Sequence, residues 1–354
     1  MSRYAMWTPL PPQRSGIADY SFELLQPLAG LVDITGVTDG PRQTCASHGV
    51  LVIGPAEVPA GTKHIYQLGN HTGAHAWMYR QILREPGVLV LHDSTLLDFY
   101  IGLHGGIEAP EFVAEVNHAH GMIRGRHDDP ALMNGWPAVE VYCVRVLDLG
   151  TLTMERRVVE ASSAVIVHDP ATAKWLRERY RDKPVYVVPS AAPIHEQPSC
   201  ESARAKHGYS PHEVVFGVFG GLGRIKRILV VLLAFAEVRR HRPDAQLIIA
   251  GHPDDPDVTA GIEQAIAQYG LHEAVKLVLS PGKSTFEELI CSTDAVVNLR
   301  WPTAGETSGV MMRAFGAGKV VITTDLPQHA HYDSEYCLRL PHDPADESAM
   351  LIKT

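Results

Sequence analysis

Two glycine-flanked stretches carry residue types suited to holding an anionic or polyhydroxyl ligand. In Gly305-Glu306-Thr307-Ser308-Gly309, just before the helical segment Val310 to Gly318, Thr307 or Ser308 can cap the helix and turn its free amides and positive dipole end toward a ligand. Glu306 stands where a carboxylate can accept two hydrogen bonds from sugar hydroxyls. The plainer alternative is a capped helix with an exposed Glu. In Phe219-Gly220-Gly221-Leu222-Gly223-Arg224-Ile225-Lys226-Arg227, glycines permit close backbone approach, and Arg224 and Lys226 offer charge to a diphosphate. This glycine spacing fits neither the dinucleotide fingerprint G-x-G-x-x-G nor the phosphate loop G-x-x-x-x-G-K-[ST], and a solvated basic helix start is the alternative.

Two further places come from the first half of the chain. Pro9 to Tyr20 reads as a strand end, a proline-rich loop and a helix opened by Ser15-Gly16. His92-Asp93 follows the strand-like run Val88 to Leu91, where a His can bond a substrate hydroxyl and Asp93 can hold its ring. The other histidines read as surface or satisfied groups: His71 and His75 have i,i+4 spacing but no third zinc ligand, and no H-E-x-x-H occurs. Asp254, Asp255 and Asp257 lie in a proline-rich turn and read as turn and helix-capping residues.

The elements that must position these residues alternate regularly. Strand-like runs fall at Tyr4 to Thr8, Val32 to Thr38, Val50 to Gly54, His64 to Leu68, Val88 to His92, Ala164 to His168 and Val185 to Val188. The alternation restarts at Val214 to Phe219, Ala245 to Ala250, Val275 to Leu279, Ala295 to Leu299, Val320 to Thr324 and Tyr336 to Leu340. Near-continuous apolar runs with helical segments between them predict parallel sheets covered on both faces. Pro189 to Pro211, with four prolines and no apolar period, reads as a linker followed by a short helix. The expected architecture is therefore α/β: two Rossmann-like, doubly wound parallel-sheet domains, 1–195 and 205–354, facing a cleft, with ligands beyond the carboxyl ends of the strands. The stretch Glu108 to Asp148 looks helical and carries His118, His120, Arg124, Arg126 and His127, to which no role is assigned.

Composition bounds the partners. At roughly 150 residues per domain, 354 residues favour two domains. Apolar residues at 45% and charged residues at 20% belong to a globular chain, and a formal charge of −9 makes the whole molecule a poor match for nucleic acid or an anionic membrane. Five scattered cysteines without a C-x-x-C pair argue against a disulfide framework, which suits a reducing compartment. The longest apolar run, Ile228 to Ala236, is too short to span a bilayer, so a cytoplasmic protein with at most peripheral membrane association is expected.

With these residues in view, the chain resembles a glycosyltransferase of family 4, the retaining, nucleotide-sugar-dependent enzymes of the GT-B fold. The likeness runs through PPQRSGIADYS with Gly16, VLVLHD with His92, VYVVPSAAP between the halves, FGGLGRIKRI, and GETSGVMMRAFGAGKVVIT in place of the family's E-x7-E segment. The resemblance implies that the Gly16 loop approaches the donor phosphate or acceptor, His92 contacts the donor sugar, Lys226 binds the diphosphate and Glu306 binds the donor sugar. Candidate catalytic residues are thus His92, Lys226 and Glu306; candidate donor-binding residues are Gly16, Gly220, Arg224, Thr307, Ser308, Gly309 and Arg313.

The sequence departs from the family pattern twice. Aligned on Lys226, the family's Arg falls on Gly221, leaving Arg224 to supply that charge from another position, and Arg313 stands in place of the second, ribose-holding Glu. Family members also continue with helices that return to the first domain, so a chain ending at Thr354 reads as a fragment or a short variant. The implied partners are a nucleotide sugar as co-substrate and a glycan or lipid-linked acceptor, with no metal or other cofactor required. Alternatives on the same architecture are a nucleotide-sugar epimerase, a phosphorylase, or a non-catalytic nucleotide-sugar-binding protein.

Overall fold

Runs of β-branched and aliphatic residues bounded by Gly, Pro and Asp become strands because both their faces can be covered by helices. The computed structural model describes residues 2–41, 49–120, 153–191, 199–341 and 347–353. Of the segments singled out from the sequence, residues 121–148 and the linker residues 192–198 lie outside the described residues. The chain divides into two compact units: Met1–Pro189 with the loop Thr303–Thr307, and Ser190–Pro302 with Ser308–Thr354.

The first unit holds a fully parallel sheet of seven strands: β1 (Arg3–Trp7), β2 (Asp33–Val37), β3 (Val52–Ile53), β4 (Lys63–Leu68), β5 (Val88–Leu91), β6 (Ala164–Val167) and β7 (Val185–Val187), in the order β3-β2-β1-β4-β5-β6-β7. Its helices among the described residues are α1 (Gly16–Ala29), α2 (Thr72–Arg84), α3 (Leu97–His104), α4 (Pro110–His120), α5 (Arg156–Ala161) and α6 (Pro170–Arg179). The order reverses between β1 and β4, and such a switch point opens a crevice beyond the strands' carboxyl ends. Trp7, Tyr66, Leu68, Met78, Leu89, Phe99 and Tyr100 form the centre of its core.

The second unit opens with α7 (Cys200–His207) and holds a parallel sheet of six strands: β8 (Val214–Phe219), β9 (Ala245–Gly251), β10 (Val275–Leu279), β11 (Ala295–Asn298), β12 (Val320–Thr324) and β13 (Cys337–Leu340), in the order β10-β9-β8-β11-β12-β13. The helices between and after them are α8 (Ile228–His241), α9 (Pro256–Gln268), α10 (Lys283–Cys291), α11 (Gly309–Gly316) and α12 (Glu347–Lys353). Its switch point falls between β8 and β11. Burial follows position: β9, inside the sheet, is buried at every residue except Gln246, whereas the edge strand β10 has no fully buried residue.

Side-chain caps fix where the helices begin. Ser15, Asp169, Asp255 and Ser308 each accept a backbone N–H from the first turn of α1, α6, α9 and α11, with Pro170 and Pro256 preset for the first turns of α6 and α9. The apolar face of α8 buries Ile228, Val231, Leu232 and Phe235, so its basic ends flank a core helix. Among the described residues no helix is long and apolar enough to cross a membrane.

Candidate functional site

The switch point of the second unit is spanned by one side chain. After β8 the chain makes the turn Gly220–Gly223 and a short 3-10 helix, Arg224–Lys226, which folds the Lys226 side chain back over the strand ends. Its ammonium donates to the Phe219 carbonyl at the end of β8 (3.1 Å) and to Asn298 Oδ1 at the end of β11 (3.5 Å). Lys226 is only 6% exposed, so its charge is desolvated and acts at short range in a low dielectric. Gly220 makes room for it: φ is +97°, and a Cβ there would lie 3.2 Å from both Lys226 Nζ and Val310 Cγ2.

Ser308 ties this ammonium to the start of α11. Its hydroxyl donates to Asn298 Oδ1 (3.2 Å) while accepting from Met311 N (3.3 Å) and from Arg300 Nη2 (3.2 Å). Arg300, two residues past β11, is itself anchored by its backbone N–H to Thr324 Oγ1 (2.9 Å). The Asn298 side-chain amide nitrogen is buried and has no partner among the described residues. The β8–β11 switch point thus gathers an ammonium, a guanidinium, an amide donor and the opening amides of α11. This is a donor set for a negatively charged oxygen-rich group.

The two other arginines singled out from the sequence, Arg224 and Arg313, are engaged elsewhere. Arg224 points outward, 74% exposed, and donates to Asp255 Oδ2 (3.0 Å) and Asp257 Oδ2 (3.5 Å) of the turn after β9. The same turn places the exposed Asp254 carboxylate directly over Gly221, so a side chain at this position would require that carboxylate to swing aside. Arg313, on α11, is largely buried and pairs with Glu287 of α10 at 3.1 Å. Gly309, the first residue of α11, is exposed with open space where a side chain would stand.

Glu306 is held within its own loop. Its Oε2 accepts from Thr303 Oγ1 and from Ala304 N, both at 2.8 Å, and Thr303 Oγ1 in turn accepts from Gly305 N (3.0 Å). The loop is therefore shaped around the carboxylate, with half-buried Thr307 next to it in sequence.

In the first unit the strand ends carry a histidine pair. His92 follows β5 and His168 follows β6, with His92 Nδ1 3.2 Å from His168 Nε2. His168 Nδ1 faces the Val188 carbonyl (2.9 Å) and His92 Nε2 faces the Gln67 side chain (2.6 Å). Tyr20 of α1 meets both rings edge-on, at 5.1 and 5.4 Å between centroids, and burial pushes its hydroxyl up to about 12. Burial and then the neighbouring His168 and His75 hold His92 well below the ordinary imidazole range, and burial also lowers His168. Asp93 does not hold the His92 ring; its Oδ2 accepts from Asn70 N at 2.5 Å. His71 caps α2 by accepting from Ala74 N (3.2 Å), so the His71/His75 pair is a cap and a buried ring. Gly16 is exposed at the start of α1, its backbone open on the Cβ side. Among the described residues no group of three or more His, Cys, Asp or Glu is placed to hold a metal ion.

Comparison with known proteins bears on both units. Residues 213–353 match the family model of glycosyl transferases group 1. The second unit is a group 1 glycosyltransferase domain. No curated protein matches the sequence. Among solved structures, sucrose-phosphate synthase from Thermosynechococcus elongatus is similar at 15% identity and a TM-score of 0.64, covering 100% of this chain and 89% of that one. HepE of Anabaena, solved in complex with UDP, gives 16% identity, a TM-score of 0.64 and the same coverage. A glycosyltransferase from Rickettsia africae gives 13% identity and a TM-score of 0.60 over 100% of this chain and 88% of that one. At such identities the likeness is one of fold, and it extends the GT-B architecture over the whole chain.

Within the glycosyltransferase domain the structure brings together Lys226, Ser308 and the start of α11 at Gly309, with Gly220 backing the lysine. It places Arg224 and Arg313 in ion pairs with Asp255 and Glu287. Asn298 and Arg300 join the cluster without having been singled out from the sequence. Their signal was positional: Asn298 ends β11 and Arg300 directly follows the strand run Ala295 to Leu299, at the carboxyl edge of the sheet. His168 had a plainer signal, since AVIVHD repeats the strand-then-His-Asp pattern of VLVLHD.

Proposed function

We propose that the protein is a retaining glycosyltransferase, moving a sugar from a nucleotide-diphosphate sugar to an acceptor hydroxyl of a glycan, glycolipid or polysaccharide precursor. The observation that carries this reading is the buried Lys226 ammonium bridging the ends of β8 and β11 beside the opening turn of α11 in a group 1 glycosyltransferase domain. The diphosphate lies against Lys226, the Asn298 amide and the α11 amides, and Arg300 supplies the guanidinium charge that position 221 lacks. Fixed positive groups there stabilise the charge that develops as the diphosphate departs, without reorganisation at the moment of reaction. The scheme draws this charge from side chains and backbone and calls for no metal. Glu306 orients the donor sugar, and His92 binds a ligand hydroxyl. HepE has been solved with UDP-glucose, which makes UDP-sugars the first donors to try.

The test is incubation with UDP-, GDP- and ADP-sugars, following nucleotide release and the anomeric configuration of the product. Transfer with retention supports the reading; no nucleoside diphosphate binding to the wild type sinks it. Arg313, paired with Glu287 where the family carries its second Glu, favours one competing reading, a nucleotide-sugar-binding protein without turnover. Tight binding with neither hydrolysis nor transfer in the presence of glycan and lipid acceptors would establish that alternative.

A further inference from the structure

The two strand-end histidines of the first unit form a chain whose proton count is fixed at one end. The β5–β6 register pairs Val90 with Ile166, and extending it by two residues sets His92 opposite His168. At one end of the chain His168 Nδ1 meets the Val188 carbonyl at 2.9 Å. A carbonyl only accepts, so Nδ1 carries a proton and donates it. A neutral imidazole has one N–H, so His168 Nε2 presents a lone pair, and His92 Nδ1–H donates to it across 3.2 Å. His92 Nε2 is then the acceptor, and the group facing it at 2.6 Å, the Gln67 side chain, must offer its NH2. That is a flip of the amide from the orientation with Oε1 toward the ring, and the two orientations fill the same space.

The opposite count is costly. If Gln67 accepted from His92 Nε2–H, the two rings would hold three N–H groups and one would be an imidazolium. Burial opposes that charge on both rings, and for His168 it outweighs the attraction of Asp169, whose carboxylate caps α6 through Thr172 N at 2.8 Å.

We propose that His168 is a positioning residue that holds His92 as its Nδ1–H tautomer, leaving His92 Nε2 as a hydrogen-bond acceptor. Such a ring selects partners that donate: the flipped Gln67 amide in the free protein, a sugar hydroxyl in its place when ligand is bound. The inference rests on His92 as a ligand-binding residue for its purpose, but the tautomer is a property of the free protein.

The experiment labels the protein with 15N-histidine and reads ring tautomers from long-range 1H–15N correlations, with His92 assigned by its loss in His92→Gln. The wild type is expected to show a neutral His92 protonated on Nδ1. His168→Phe, which removes the acceptor and keeps a ring, should move the proton to Nε2; His168→Gln, whose amide oxygen restores an acceptor, should return it to Nδ1. With a nucleotide-sugar substrate, His168→Phe should raise KM by about tenfold, the scale of one lost hydrogen bond, with a smaller change in kcat, and His168→Gln should recover most of it. A wild-type His92 protonated on Nε2 or on both nitrogens overturns the proposal, as does an unchanged tautomer in His168→Phe. Should the Phe variant not fold, the wild type and the Gln variant still decide. Because the ring is read without substrate, absence of nucleotide binding would remove the glycosyltransferase reading and leave this result standing on its own.

Discussion

Three cations lie close together in sequence or space around the second unit's switch point, and their surroundings separate them. Lys226 is buried with its acceptors at two strand ends, Arg300 reaches the capping hydroxyl of α11, and Arg224 is spread over surface carboxylates. An exposed ion pair contributes little, whereas a desolvated charge-assisted bond is worth much more. Lys226→Met is therefore expected to weaken nucleoside-diphosphate binding and slow transfer by about a hundredfold or more, and Arg300→Met to weaken binding by about tenfold. Arg224→Met should stay within about twofold of the wild type. Isothermal titration with UDP, GDP and ADP checks all three, and a larger loss in Arg224→Met than in Arg300→Met would contradict the assignment. The sequence singles out Arg224 because it stands two residues from Lys226 in a basic turn. It does not reveal that the following turn at Asp254 to Asp257 covers Gly221 and draws Arg224 away, because that approach depends on the β8–β9 pairing.

At the scale of elements, apolar runs made every strand among the described residues legible, with ends displaced by a residue or two, because a strand buried on both faces needs near-continuous β-branched and aliphatic residues. Strand order was not legible. That His92 and His168 become neighbours, or that Phe219 and Asn298 share one ammonium, follows from sheet positions β5-β6 and β8-β11, which no local pattern encodes. Helix starts were better marked, since Ser, Asp and Pro announce caps, yet identical caps serve different ends. Asp169→Ala should lower stability by about 1 kcal/mol through loss of the α6 cap. Ser308→Ala removes a similar cap but also unhooks Arg300 and Asn298, so it is expected to show the same order of stability loss plus about tenfold weaker diphosphate binding. Chemical denaturation paired with nucleotide titration separates the two; equal binding in Ser308→Ala and wild type would show that the hydroxyl organises the helix and not the anion site.

For the molecule as a whole, the two units differ in how they answer to acid. The first unit buries His75, pushed down to about 3 mainly by burial and then by His71, together with His92 and His168, both also lowered. For a ring whose folded-state proton affinity lies below its unfolded value, stability is complete above about pH 6.5 and is lost as the pH falls, because only the unfolded chain takes up the proton. Each such ring costs up to about 1.4 kcal/mol per pH unit below that point. In the second unit His207 is lowered as well, but the lowered carboxyls Asp244, Asp255 and Glu288 act only near pH 4, so between pH 7 and 5 the first unit carries most of the loss. Four of the five tryptophans, Trp7, Trp77, Trp136 and Trp175, belong to the first unit, so tryptophan fluorescence is weighted toward its unfolding. The urea midpoint of that signal is expected to fall from pH 7 to 5. His75→Met, which deletes a ring whose Nδ1 has no partner among the described residues, should flatten the slope by about one proton's worth. The same pH dependence in variant and wild type would mean that His75 already carries its proton in the folded chain.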